Sequence, residues 1–136
     1  MIPLMIQNAL LHKKLPIYGD GGQIRDWIYV VDNCIAIDLV FNKGKLGHVY
    51  NIGGNCEMQN IDLVKLIIKL IRKETKDPYI NMELIMHVTD RLGHDRRYAV
   101  DYNKIKNELG WEPKVKFEEG MVQTINWYLA NRDLIK

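Results

Sequence analysis

The stretch Leu15-Pro16-Ile17-Tyr18-Gly19-Asp20-Gly21-Gly22-Gln23-Ile24-Arg25-Asp26-Trp27-Ile28-Tyr29-Val30-Val31-Asp32 sets the class of this chain. A short extended run, Leu15 to Tyr18, closes on a polar glycine turn, Gly19 to Gly22. The next run, Ile24 to Val30, carries Trp27 and Tyr29 and reads as a strand. Asp32 offers an N-cap for a helix with Ile35, Ala36, Leu39 and Val40 along one face. Strand followed by helix is the unit of an α/β fold.

The pattern repeats outward from there. Upstream, residues 2–12 read as a short helix with Pro3 in its first turn and basic residues at its C-terminal end. Downstream, Asn42 to Gly47 is a polar loop, and His48 to Ile52 reads as a strand stopped by Gly53-Gly54. The clearest helix spans about Ile61 to Lys73, capped by Asn60, with Ile61, Val64, Ile68 and Ile71 at helical spacing. Asp77-Pro78 breaks the chain before a strand at Met82 to Val88 and a charged turn at Asp90 to Arg97. Helices at about Tyr102–Leu109 and Phe117–Asn131 follow, the second with Phe117, Met121, Ile125 and Leu129 four residues apart. No repeat, low-complexity tract or linker interrupts residues 1–136, so a single α/β domain is expected.

Composition narrows the functional classes. Hydrophobic residues make up 47% and charged residues 26% of the 136, which is the balance of a folded globular chain. With 19 Lys+Arg against 17 Asp+Glu, no bulk field favours nucleic acid or a membrane surface, and any basic pocket must be local. Two cysteines, Cys34 and Cys56, make neither a disulfide framework nor a metal-ligand pair, so a reduced cytoplasmic setting and no metal are expected. Serine is absent, which removes every serine nucleophile from these residues. The apolar start lacks a basic leader, and no run approaches the roughly 20 apolar residues of a membrane span.

Three motifs compete for chemistry. The Gly19–Gly22 turn falls short of a dinucleotide fingerprint, because Ile24 takes the place of the third glycine and a strand, not a helix, follows. Tyr102-Asn103-Lys104-Ile105-Lys106 matches Tyr-x-x-x-Lys, an acid-base pair on one helix face, but sits in a charged segment without a serine or threonine beside it. It reads as a chance match. Asp90 to Arg97 packs three arginines, His94 and two aspartates around Gly93, and guanidinium forks suit phosphate oxygens. A solvated loop with local ion pairs is the simpler fate for such a run, as pairing with Asp20 or Asp26 is for Arg25. Asn51 ends its strand where α/β folds place ligands, and Trp27, Trp111 and Trp127 read as packing residues.

Longer strings carry a resemblance. Leu15 to Gly21, Gln23 to Asp32, and Tyr50-Asn51-Ile52-Gly53-Gly54 are similar to the C-terminal half of the extended short-chain dehydrogenase/reductases, a Rossmann-type α/β fold. Asp90-Arg91-Leu92-Gly93-His94-Asp95-Arg96-Arg97-Tyr98-Ala99-Val100-Asp101 resembles, within them, the dTDP-glucose 4,6-dehydratases. So do Glu108 to Pro113 and Thr124 to Leu129. Leu92 departs from the proline usual there. The resemblance covers nearly the whole chain.

It implies a C-terminal substrate-binding portion whose N-terminal, NAD-binding half lies outside these residues, together with the catalytic Tyr-x-x-x-Lys, threonine and acidic pair. No catalytic residue and no bound cofactor are then expected in this chain, which alone would be inactive. The resemblance gives Arg25 and Arg91 to the pyrophosphate of a dTDP-sugar. It gives Pro16, Ile17 and Tyr18 to the thymine and deoxyribose, and Asn51, Asp90 and His94 to polar contacts around the nucleotide. In the complete enzyme dTDP-glucose would lose water to give dTDP-4-keto-6-deoxyglucose, and a homodimer is the expected assembly. A sibling nucleotide-sugar epimerase or decarboxylase, and a stand-alone nucleotide-binding module, are the alternatives.

Overall fold

The computed structural model describes residues 1–134. The expected domain is organised as two compact units. The first comprises Met1–Gln23, Gln59–Arg96 and the residues from Met121 onward; the second comprises Ile24–Met58 and Arg97–Gly120.

In the first unit, α1 (Ile2–Leu10) carries Pro3 where a missing amide costs nothing, and buries Met5, Ile6 and Ala9. It packs on α3 (Asn60–Thr75), whose Leu63, Val64, Ile67, Ile68 and Ile71 are all buried. Burying one such side chain contributes about 1.5–3 kcal/mol, so this helix pair anchors the unit. Parallel strands β1 (Leu15–Tyr18) and β4 (Ile85–Val88) pair from Leu15 with Ile85 to Tyr18 with Val88. A 3-10 turn, Met82–Leu84, precedes β4 and takes the first part of the strand expected from Met82. Asn60 is the first residue of α3, not its side-chain cap. The cap is made by backbone: Gln23 and Gly21 carbonyls accept from the Asn60 and Ile61 amides at 2.9 Å each.

The second unit holds β2 (Ile24–Asp26) between β3 (Glu57–Gln59) and β5 (Arg97–Tyr98), with β2 parallel to β5. β2 is shorter than the run to Val30 suggests, because the Asp26 carboxylate turns aside to accept the Gly54 and Cys56 amides. α2 (Val30–Lys43) starts two residues before Asp32. Asp32 is therefore not a cap. It lies buried in the first turn, and its Oδ2 accepts from Lys114 and Val115 amides at 3.0 and 2.9 Å. Ala36 is buried with Ile105 and Trp111, and Leu39 and Val40 pack around them. Ile35, expected on that face, is instead half exposed beside Val30, Val31 and Cys34. His48 to Ile52 is extended but joins no ladder; Tyr50 and Ile52 pack on the same cluster, and the Tyr50 hydroxyl donates to Glu108. α4 (Asn103–Leu109) and α5 (Phe117–Ala130) complete the chain order, Met121 and Ile125 being buried. No described helix is long and apolar enough to cross a membrane.

Candidate functional site

β1 ends at Tyr18, and the turn after it faces the loop after β4. Gly19 donates to the Val88 carbonyl at 2.8 Å, and His87 Nδ1–H donates to the Gly19 carbonyl at 2.7 Å. The strand pairing thus runs on into the loop that carries Asp90. There Asp90 Oδ2 accepts from Gln23 Nε2, and Oδ1 accepts from His94 Nδ1–H, both at 2.7 Å. The His94 ring meets Tyr18 edge-to-face at 5.9 Å, and its side chain is only 7% exposed. The hydrogen bond from His94, helped by the Arg91 amide and Gln23, holds the Asp90 carboxyl below its ordinary range. This loop therefore keeps a fixed negative charge at neutral pH, with Arg91 next to it.

Five of the expected nucleotide contacts, Pro16, Tyr18, Asp90, Arg91 and His94, belong to this region of the first unit. Ile17 also belongs to it, but the whole residue is only 2% exposed and is part of the buried core, so it offers a ligand almost no surface. Arg25 and Asn51 belong to the second unit. Arg25 lies half-buried on β2, its Nη1 donating to the Ile24 carbonyl at 2.7 Å. Asn51 is exposed on the wall of a cavity of about 300 Å³ shared with Asp26, Gly53, Gly54, Tyr98 and Val100. The backbone comes close together here: a Cβ on Gly54 would collide with the Trp27 carbonyl oxygen, which is why glycine is needed.

The arginine-rich string divides cleanly. Arg96 forms a fork with Asp20, and Arg97 forms one with Glu57, at 2.6 Å for each bond. The Arg96 hydrogen bond holds the Asp20 carboxyl down at about 2. Arg91 is exposed and, among the described residues, its guanidinium makes no ion pair. The ion-pair reading thus holds for Arg96 and Arg97, and Arg91 is left to face solvent. Tyr102 packs edge-to-face on Trp111, and Lys106 pairs with Glu112 at 2.6 Å, so both residues of the Tyr-x-x-x-Lys match have structural partners.

Two polar groups escaped sequence reasoning. Gln23 and Asn60 are 2% and 8% exposed, and Gln23 Oε1 and Asn60 Oδ1 have no hydrogen-bond partner among the described residues. A buried acceptor that gains no partner costs about 1–3 kcal/mol, so both positions weigh on the stability of the first unit. Asn60 was hidden by its position, since asparagine before an apolar run reads as a cap. Among the described residues no group of side chains could hold a metal ion.

Residues 1–124 match the family model described as GDP-mannose 4,6 dehydratase. The chain belongs to this family. Within the GDP-mannose 4,6-dehydratase family its relatives include a dTDP-glucose 4,6-dehydratase of Xanthomonas campestris pv. campestris. That protein is 49% identical over 138 residues, covering 100% of this chain and 39% of the relative. A dTDP-glucose 4,6-dehydratase of Bacillus anthracis, solved in complex with NAD, superposes with a TM-score of 0.86 at 51% identity, over 98% of this chain and 40% of that one. DesIV, a dTDP-glucose 4,6-dehydratase of Streptomyces venezuelae with NAD and TYD bound, gives 0.89 at 38% identity, over 97% and 39%. The resemblance read from the Leu15 and Asp90 strings is borne out, as is the extended short-chain dehydrogenase fold. The chain spans about two-fifths of the length of the curated relatives it matches.

Proposed function

We propose that this chain is the dTDP-sugar-binding portion of a dTDP-glucose 4,6-dehydratase, and that it positions the nucleotide while the reacting groups lie elsewhere. The observation that carries the reading is identity at about half of all positions to dTDP-glucose 4,6-dehydratases over the whole chain. The local geometry supports it. Arg91 stands on a loop held by Asp90 and His94, and Tyr18 beside it is half exposed. Taken unit by unit, Arg25 and Arg91 each offer a guanidinium suited to a pyrophosphate, and Asn51, Asp90 and His94 each offer polar groups suited to a nucleotide.

NAD does not fit these residues. The Gly19–Gly22 turn leads into β2, not into a helix N-terminus whose amides could cradle a pyrophosphate. No step through NAD is therefore assigned to this chain. Its contribution is orientation: fixing the nucleotide fixes the hexose attached to it, which can supply much of the entropic part of a rate enhancement. In the complete enzyme the net change is loss of water from dTDP-glucose to give dTDP-4-keto-6-deoxyglucose, in a cytoplasmic homodimer.

Calorimetric titration tests the reading. Arg25→Ala or Arg91→Ala should each weaken dTDP binding by about 1.5–3 kcal/mol, the range for hydrogen bonds to charged groups. Thymidine, which lacks phosphates, should bind all three proteins alike. Equal losses for both ligands, or none, would overturn the assignment. Incubated with NAD and dTDP-glucose, the chain alone should form no 4-keto sugar.

A further inference from the structure

Asp20 sits in the turn after β1, and its Oδ1 accepts the Gly22 amide at 2.8 Å, so the carboxylate is aimed before any partner arrives. Arg96, 76 residues later, returns to it with a fork: Nη1 to Oδ1 at 2.9 Å and Nη2 to Oδ2 at 3.0 Å. The guanidinium lies directly on Gly22, where a Cβ would collide with Arg96 Nη2. Gly22 is not in the left-handed region, so its smallness serves Arg96 and not the backbone.

The Asp90–Arg96 loop is thereby pinned at both ends to one turn. At its start Asp90 is bonded by Gln23 and rests against Gly19; at its end Arg96 holds Asp20. Arg91 and His94 lie between the pins, and the apex, Leu92, is fully exposed. We propose that Asp20 and Arg96 form a latch, seated on Gly22, that closes this loop on the Gly19–Gln23 turn and keeps Arg91 and His94 in register for a nucleoside diphosphate. Neither latch residue is placed against the ligand, so both are positioning residues. The purpose of the latch rests on the nucleotide-binding reading; its mechanics do not.

The expected size follows from exposure. Both partners are about two-thirds exposed, and such a pair shifts an equilibrium by a few-fold at most, toward the upper end when the geometry is a fork. A loop closed for a smaller fraction of the time weakens apparent affinity by that same fraction.

Amide hydrogen exchange on the 136-residue chain, without ligand, reads the latch directly. Arg96→Ala should raise exchange across Asp90–Arg96 by about three- to fivefold, with α3 amides unchanged as the internal reference. Gly22→Ala crowds the guanidinium while leaving both charges in place, and should raise exchange in the same segment by no more than Arg96→Ala does. The double variant should not exceed Arg96→Ala by more than error, because both substitutions act on one interaction. Arg96→Lys should recover part of the protection. Unchanged loop exchange in Arg96→Ala, or additive effects in the double variant, would overturn the latch. Calorimetric titration with dTDP then tests its purpose, where the affinity of Arg96→Ala should fall by the factor seen in exchange. An affinity unmoved by a loosened loop would overturn the role in nucleotide binding. A wild-type chain that bound no dTDP would overturn the site reading, while the exchange result would still decide the latch.

Discussion

The turn-and-loop pair of the first unit and the Tyr50–Gly54 segment of the second hold their polar groups by opposite means. In the first, side chains reach across to carboxylates: Arg96 to Asp20, His94 and Gln23 to Asp90. In the second, backbone is what is held: Gly54 lies against the Trp27 carbonyl, and the Asp26 carboxylate accepts the amides of Gly54 and, just beyond the segment, Cys56. A side-chain network yields to charge, pH and salt, and reforms; a backbone contact yields only when something is forced into it. A binding loop of the first kind can open and close. The second kind makes a fixed wall.

The largest effect should come from breaking the wall. Gly54→Ala puts a methyl group into backbone that cannot rotate away, and should destabilise by about 3 kcal/mol, the upper part of the range for overpacking. Denaturant melts check it. A loss below 1 kcal/mol would mean that the segment gives way like a loop. Next in size, Asp26→Ala should cost about 2 kcal/mol by leaving the Gly54 and Cys56 amides without their acceptor. Asp26→Asn, which keeps one acceptor oxygen, should cost less.

The smallest effect belongs to the first unit and to pH. The Asp20 carboxyl is held at about 2 by Arg96 and the Gly22 amide, and His94 holds the Asp90 carboxyl below its ordinary value. Both shifts are downward, so both contribute stability that is complete above the ordinary carboxylate value near 3.8. That stability is lost as pH falls from there through the lowered values. Loop amides at Asp90–Arg96 should therefore lose protection between about pH 4 and 2, and in the second unit the Trp27 amide, which donates to the Cys56 carbonyl at 3.0 Å, should not follow the same curve. Coincident curves would dissolve the distinction between the two regions.

Much of this was legible from local pattern, and the failures share one cause. α3 is correct in position and face because spacing within a helix is written in adjacent residues. Asp32 looked like a cap because its true partners, Lys114 and Val115, are 82 and 83 residues away. β2 stops early because Asp26 answers to Gly54 and Cys56, and His48–Ile52 alternates like a strand although among the described residues no strand pairs with it. β3 and β5 were missed because short polar strands carry little signal of their own. In the site, Arg91 was singled out by composition and matched strings, but only the structure separates it from Arg96 and Arg97. Gln23 and Asn60 had no signal beyond being polar. Their burial is a property of the fold.

The central claim is that these residues hold a dTDP nucleotide. Titration of dTDP into the isotope-labelled 136-residue chain, followed residue by residue in amide and side-chain NMR spectra, tests it most directly. The account predicts saturable shifts at Tyr18, Arg25, Asn51, Asp90, Arg91 and His94, with thymidine leaving the arginine signals in place. Shifts confined to the exposed Val30–Ile35 face of α2, or none at all, would contradict it.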